Sequence, residues 1–397
     1  MLTRCPACDA ASPEPFFSLP GLPVHGTAVL PDPQQARSVP VGDQVLVLCE
    51  RCGLVFNRSF DERLLDYTGH HEESQHHSPR FAAYAEEITK DWLSRFDLAG
   101  RDLVEIGCGS GDFAATLLAA GAGRVTGIDP HFTPERIPAD LAGRLRAVPE
   151  FFAASMIEPG TAAVVCRHTL EHIPALAMFG SEVVAGMRHG GVPLLLAEVP
   201  DLGRILDEGA FWDLQYEHCS YFTPATLAGF LTGLGFADPA VRSTYSDQYI
   251  VGEARLGTRR VEPVALPGDQ LRALRDACRS FADRVEQQIG RWRVWLGERA
   301  AEGDPAVVWG GGAKGLTFLN VVVGQADRPD DMVQAVVDIN PGLQGHYMGG
   351  LGLPICSPDD LVQRRPRTVL LMNPVYLGEV REMLDARGLT STELLAV

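Results

Sequence analysis

The chain has 397 residues, too many for one ordinary core, and its 46% hydrophobic, 21% charged composition is that of a folded globular protein. A net charge of −17 argues against a general nucleic-acid binder, which needs a basic stripe to displace phosphate counterions. The first residues, Met1–Pro6, hold no apolar signal segment and no uncharged apolar run reaches bilayer length, so the expectation is a cytoplasmic protein without a membrane partner.

Residues 1 to about 80 are rich in Pro, His and Cys. Cys5-Pro6-Ala7-Cys8 and Cys49-Glu50-Arg51-Cys52 form two C-x-x-C pairs, the second followed by Gly53 and an apolar Leu-Val-Phe stretch. Four soft ligands at this spacing suit a closed, tetrahedral, structural Zn²⁺ site. A redox pair would need a β-α-β setting, and neither pair has one. His70-His71 and His76-His77 fit no standard closed metal site and read as solvated loop histidines.

An amphipathic helix is expected over Phe81–Trp92. Apolar strands then alternate with helices at Leu103–Ile106, Arg124–Ile128, Ala162–Cys166 and Val192–Glu198, which argues for a parallel sheet covered on both faces. Thr258–Gly268 reads as a linker, and Asp269–Ala301 as one long helix with Leu271, Leu274, Cys278, Phe281, Val285 and Ile289 at helical spacing. Strands at Ala306–Trp309, Ala335–Asp338 and Thr368–Met372 form a second, smaller α/β unit. The fold class is therefore α/β in three parts: a zinc-ribbon-like domain over 1–80, a Rossmann-like domain over 81–257, and a smaller Rossmann-like domain with a long leading helix over 258–397.

Asp102–Phe113 reads as strand, glycine turn, helix, with Glu105 ahead of Gly107, Gly109 and Gly111. Glycine lets a backbone approach a ligand closely and supplies φ > 0. The spacing lacks the G-x-G-x-x-G that brings a helix N-terminus to a pyrophosphate. Glu105 suits an ammonium group, and Asp129, at the end of the next strand, suits the two hydroxyls of a ribose. Glu105-Ile106-Gly107-Cys108-Gly109-Ser110-Gly111 with Asp129 looks like the first two motifs of the class I methyltransferases. The resemblance implies S-adenosylmethionine, its methionine part over Gly107–Gly111 and its ribose at Asp129. Phe151 is a candidate adenine contact by position, and His168 falls on the same donor side.

The fourth strand runs into Arg167-His168-Thr169-Leu170-Glu171-His172, where strand C-termini face a ligand crevice. Later comes Gln215-Tyr216-Glu217-His218-Cys219-Ser220-Tyr221-Phe222, with ionisable groups between aromatics, costly unless paired or used. A satisfied Glu217–His218 pair that only joins elements stays an alternative. The whole arrangement resembles the nucleotide-sugar C-methyltransferases, which methylate C3 of dTDP-4-keto deoxyhexoses. That resemblance implies a four-cysteine zinc domain, a methyltransferase domain and a C-terminal α/β domain. It also implies an anionic, nucleotide-linked keto-deoxy sugar of secondary metabolism as acceptor. His172 matches the family's fourth-strand histidine, and Glu217, His218 and Ser220-Tyr221-Phe222 match its later motif, whose tyrosine is replaced by Gln215, with Tyr216 one place on.

In this reading His218 is the base that makes an enolate, which then attacks the methyl group. His172 and Tyr216 donate to the enolate oxygen, and Glu217 orients His218 or binds acceptor. Tyr67, Gln215 and Tyr221 fall on the acceptor side. The segment Tyr67–Gln75 and Asp247-Gln248-Tyr249 depart from the family's pattern, so the acceptor differs if these form its wall. Val307–Gly315, with Lys314 after a glycine turn, and Pro354-Ile355-Cys356-Ser357-Pro358 resemble the same family's C-terminal domain. Lys314 and the turn amides suit a phosphate, and Tyr347 and Asn373 are candidate cleft residues. The alternatives are O-methylation of a sugar or other hydroxyl, a nicotinamide-dependent oxidoreductase using the C-terminal turn, and a non-catalytic scaffold.

Overall fold

The computed structural model describes residues 2–65, 75–132, 138–257, 264–324 and 329–397. Tyr67, the His70-His71 pair and residues 258–263 of the expected linker lie outside them.

The chain opens with antiparallel strands β1 (Phe17–Pro23), β2 (Val41–Leu48) and β3 (Val55–Asn57). A helix over Pro79–Arg95 follows, longer at both ends than the amphipathic stretch suggested. Its start is set by Ser78, whose side chain accepts from the Phe81 N–H, and by Pro79 in the first turn, where no amide donor is lost. Phe81, Tyr84, Ile88 and Trp92 recur every three or four residues and bury one face.

The central strands are β4 (Asp102–Ile106), β5 (Val125–Ile128), β6 (Leu145–Val148), β7 (Thr161–Arg167), β8 (Leu194–Pro200), β9 (Ser220–Tyr221), β10 (Phe236–Thr244) and β11 (Tyr249–Leu256). Seven of them form one sheet in the order β10-β11-β8-β7-β4-β5-β6. β4 to β8 run parallel, and β11 pairs antiparallel with both β8 and β10. This is the Rossmann-like sheet expected from the glycine turn. β4 has β5 on one side and β7 on the other, so connections leave it in both directions and open a crevice at its C-terminal end.

β9 lies outside this sheet and pairs antiparallel with β3, so the N-terminal sheet, in the order β1-β2-β3-β9, takes its last strand from the central region. Cys5, Cys8 and Cys49 are buried in one apolar cluster with Phe222 and Leu227 of the central region.

A helix over Gly268–Ala301 leads into β12 (Ala306–Trp309), β13 (Val333–Val337), β14 (Ile355–Cys356), β15 (Thr368–Leu371) and β16 (Glu393–Ala396). These form an all-parallel sheet in the order β14-β13-β12-β15-β16, with its own switch point at β12. The helix buries Leu274, Phe281, Val285 and Trp292 against Leu46, Val55 and Phe211, which ties the three parts together. Among the described residues no helix is long and apolar enough to cross a membrane.

Candidate active site

A cavity of about 870 Å³ lies between the C-terminal ends of β4 and β12 and is lined from all three parts of the chain. At one end, β4 delivers Glu105 and then a turn whose Gly107, Gly109 and Gly111 have φ of 73°, 51° and 88°. A Cβ on Gly107 would meet the Thr169 hydroxyl at 2.0 Å, so the close approach of backbone and side chain requires glycine there. Glu105 is 2% exposed, and burial pushes its carboxyl up to about 8, with Arg167 pulling the other way. Its Oε2 has no hydrogen-bond partner among the described residues. Asp129 follows β5: its Oδ2 accepts from Gly109 N at 3.0 Å and its Oδ1 from His131 N at 2.8 Å.

Beyond the turn stands an imidazole cluster. His168 has φ +47°, a left-handed conformation that aims its ring across the sheet to Glu198 on β8, with Nε2 2.7 Å from Oε1. Burial alone would lower its pKa, but Glu171 and Glu198 raise it to about 9, so the ring is cationic at neutral pH. Glu198 also meets Arg167 at 2.8 Å and accepts from the Tyr84 hydroxyl at 2.5 Å. His172 and His218 face each other edge to face with ring centroids 4.7 Å apart. Burial, with His172 alongside, lowers His218 to about 4 and leaves it neutral. Glu171 lines the cavity beside them, 2% exposed.

Glu217 also lines the cavity, but it does not orient His218. Its Oε1 stands 3.2 Å from His25 Nδ1 and its Oε2 accepts from Gly26 N at 2.9 Å, so the N-terminal part holds it. Burial opposes ionisation of Glu217, yet His25 and its neighbours hold its carboxyl below the usual range.

Four expected site residues stand elsewhere. Tyr216 packs its ring on Gly42, where a Cβ would come within 2.1 Å, and stacks on Phe60 at 5.5 Å. Its hydroxyl accepts from Asp61 N at 2.9 Å, which turns it away from the cavity. Tyr221 is buried, its hydroxyl accepting from Gln44 Nε2 at 2.8 Å and donating to the Gln215 carbonyl. Phe151 is 66% exposed and does not line the cavity. Tyr347 is also off the cavity, bridged to Pro354 with its N–H on the Leu30 carbonyl. Gln215, Lys314 and Asn373 do line it, as do Gln248 and Tyr249 of the departing segment.

At the far end β12 runs into the Gly310–Gly312 turn. Asp338, after β13, repeats the geometry of Asp129: Oδ2 accepts from Gly311 N at 2.7 Å and Oδ1 from Asn340 N at 2.8 Å. Lys314 and Arg204 both pair with Asp213. Gln248 and Asn373 exchange amide hydrogen bonds at 2.7 and 3.0 Å across the two α/β parts. His25, Glu171, Arg204 and Asp213 were not singled out from the sequence. Glu171 had a signal, its position beside His172 at a strand end. His25 had none, because its partner lies 192 residues away.

The cysteines form a second cluster. Their four sulfurs lie within 4.8 Å of one another, with Cys5–Cys52 at 3.6 Å and Cys8–Cys49 at 3.5 Å. A tetrahedral Zn–S shell of 2.3 Å sets sulfurs roughly 3.8 Å apart, so this donor set fits zinc. The two turns are alike: Asp9 N and Gly53 N donate to the Cys5 and Cys49 carbonyls at 2.9 Å, with φ of 58° and 76°.

Residues 75–240 match the family model described as a methyltransferase domain, and residues 270–391 the model described as a C-methyltransferase C-terminal domain. The chain is an S-adenosylmethionine-dependent methyltransferase. It is similar to the C-methyltransferase NovU of Streptomyces niveus, 25% identical over 362 residues that span 86% of this chain and 84% of that one. Together these matches support a C-methyltransferase family. A shorter likeness, 37% over 109 residues, is to the ubiquinone biosynthesis O-methyltransferase of Methylobacterium sp. (strain 4-46), covering 26% of this chain and 43% of that one. Among solved structures, the 1,6-didemethyltoxoflavin-N1-methyltransferase of Burkholderia thailandensis is similar with a TM-score of 0.33 and 21% identity, covering 44% of this chain and 78% of that one.

Proposed function

We propose that this enzyme methylates a carbon alpha to a ketone in an anionic, nucleotide-linked keto-deoxy sugar. The observation that carries the reading is one cavity into which the Glu105–Gly111 turn and the paired imidazoles His172 and His218 both open. S-adenosylmethionine, when bound, supplies an electrophilic methyl group. Gly107, Gly109 and Gly111 give it backbone room, Glu105 meets its ammonium and Asp129 its ribose. His168, already committed to Glu198, lines the same end and is assigned to the donor side.

His218 is the base. Its burial keeps the ring unprotonated at neutral pH, and it takes the alpha proton while the electron pair passes onto the carbonyl oxygen. His172, perpendicular to it, donates to that oxygen. Tyr216 has no part in this, because its hydroxyl is spent on Asp61. Glu217 and Gln215 face the acceptor as hydrogen-bonding groups. The Gly310–Gly312 turn, Asp338, Lys314 and Asn373 receive its nucleotide end, where turn amides suit a phosphate and a carboxylate suits a ribose. The four cysteines hold a structural Zn²⁺.

The test is proton exchange in D₂O with a dTDP-4-keto sugar and no methyl donor. The wild-type enzyme should exchange the alpha proton and His218→Ala should not. Methylation of a hydroxyl, with no exchange across a panel of keto sugars, would establish O-methylation instead.

A further inference from the structure

We propose that Glu171 is the positioning residue of the imidazole cluster, its buried carboxylate facing His168, His172 and His218 so as to hold the imidazolium formed when His218 takes the acceptor's proton. This rests on His218 being the base.

The geometry is specific. The ligand atoms of Glu171, His172 and His218 all lie within 4.8 Å of one another, and His168 Nδ1 stands 3.6 Å from Glu171 Oε1. Glu171 is 2% exposed, and neither oxygen accepts a hydrogen bond among the described residues. His218 Nδ1 is likewise buried without a partner there. The two segments are pinned together, because Cys219 N donates to the Glu171 backbone carbonyl at 2.8 Å. Glu171 and His172 share one short turn, Leu170–His172, so carboxylate and imidazole arrive as a unit.

An ionised carboxylate buried without hydrogen bonds is costly and is tolerated where a countercharge is at hand. His168 supplies a standing one, but its Nε2 is already on Glu198. The second countercharge is the one the reaction creates. A neutral imidazole in an apolar pocket has one ring nitrogen free to take a proton yet is a poor acceptor, because the cation it becomes is poorly solvated. A fixed carboxylate a few ångströms away removes that penalty, as the aspartate behind a catalytic histidine does in a hydrolase triad. The step balances: one proton moves from carbon to imidazole, the C–H electron pair becomes the enolate, and nothing is oxidised. Among the described residues, the other titratable or charged groups packed around the cluster include Cys166 and Arg167 on β7, Glu198 on β8, Glu217 and Cys219 beside His218, Tyr221 on β9, and Tyr249 on β11, whose ring lies 4.6 Å from that of His168. Glu217 is committed to His25 and Gly26, and Glu198 to Arg167, His168 and Tyr84, which leaves Glu171 for the cluster.

The experiment compares wild type, Glu171→Gln and Glu171→Asp as full-length protein with its bound metal. It reads alpha-proton exchange and methyl transfer against pH, donor affinity by calorimetry, and metal per chain. Glu171→Gln should bind the donor normally, keep its KM for acceptor and lose roughly 10²-fold in kcat. The acid limb of its pH profile should move to lower pH, because an imidazole without its carboxylate is harder to protonate. Glu171→Asp should recover part of the rate. If Glu171→Gln does not fold, Glu171→Met, uncharged and of similar volume, carries the test, and wild-type kcat in that variant overturns the proposal. Wild-type kcat and an unmoved acid limb in Glu171→Gln also overturn it while His218-dependent exchange stands. Absence of that exchange in wild type would instead remove the base assignment beneath it. A second metal equivalent per chain, lost in Glu171→Gln, would make the trio a metal site and overturn the positioning role.

Discussion

Asp129 and Asp338 occupy equivalent places in two separate sheets that face one cavity. Each follows a parallel strand next to a glycine turn and accepts one N–H from that turn, Gly109 at 3.0 Å or Gly311 at 2.7 Å. Each accepts a second at 2.8 Å from the amide two residues on, His131 or Asn340. Both carboxylates keep lone pairs for further donors. The cavity thus holds two like carboxylate sites, and Glu171, His172, Glu217 and His218 line it too.

Those two sites should separate by mutation. Asp129→Ala is expected to weaken donor binding by about 10-fold or more, the value of hydrogen bonds to a charged group, with little change in acceptor KM. Asp338→Ala should do the reverse. Calorimetry with the donor and steady-state kinetics with the acceptor check both, and equal effects of each variant on both ligands would contradict the division.

With Glu105 at the proposed donor site, donor binding should be coupled to a proton. Burial holds its carboxyl up at about 8 in the free protein, so at pH 7 it carries a proton. An arriving ammonium favours the carboxylate and expels that proton. Donor affinity should therefore tighten as pH rises towards about 8 and level off above it. Calorimetry at pH 7 in buffers of different ionisation enthalpy should count released protons in wild type and none in Glu105→Gln. Equal counts in both would mean that the carboxyl does not meet the ammonium.

Metal loss should reach the acceptor site. β9 pairs with β3, and Glu217 is held by His25 and Gly26, so the segment carrying His218 is anchored to the cysteine-bearing part. Chelation, or Cys49→Ser, should abolish methyl transfer while donor binding persists, because the Glu105–Gly111 turn belongs to a different sheet. Limited proteolysis should show cuts within residues 1–65 first. Full activity in metal-free protein would contradict the coupling.

Tyr216→Phe should leave kcat within a factor of about 2 and cost about 1 kcal/mol of stability, the net worth of one buried hydrogen bond, here to Asp61 N. Thermal melts and kinetics on one preparation suffice. A large fall in kcat with unchanged stability would return the hydroxyl to the cavity.

Tyr216 also marks where the sequence stops being legible. The glycine turn, its Glu105 and Asp129, the strand and helix alternation and the cysteine pairs are local patterns with local causes, and they were readable. The direction of Tyr216 depends on a gap at Gly42, in a strand more than 170 residues earlier in the chain, and no local pattern carries that. The same holds for His25 on Glu217, for Tyr221 on Gln44, and for β9 pairing with β3 of the N-terminal part. Phe151 and Tyr347 stand off the cavity for a simpler reason: position along the chain does not by itself fix where a loop side chain points. Gln248 lay within a segment recognised as unusual, yet its amide exchange with Asn373 needed two domains to meet.

Methyl transfer to carbon is read from the bond the product contains. The enzyme is incubated with ¹³C-methyl S-adenosylmethionine and a panel of nucleotide-linked 4-keto sugars, and the product methyl is read by NMR. The expected product has a labelled methyl coupled to a ring carbon next to the ketone, absent from His218→Ala. A labelled methyl on oxygen, formed at the same rate by His218→Ala, would contradict it.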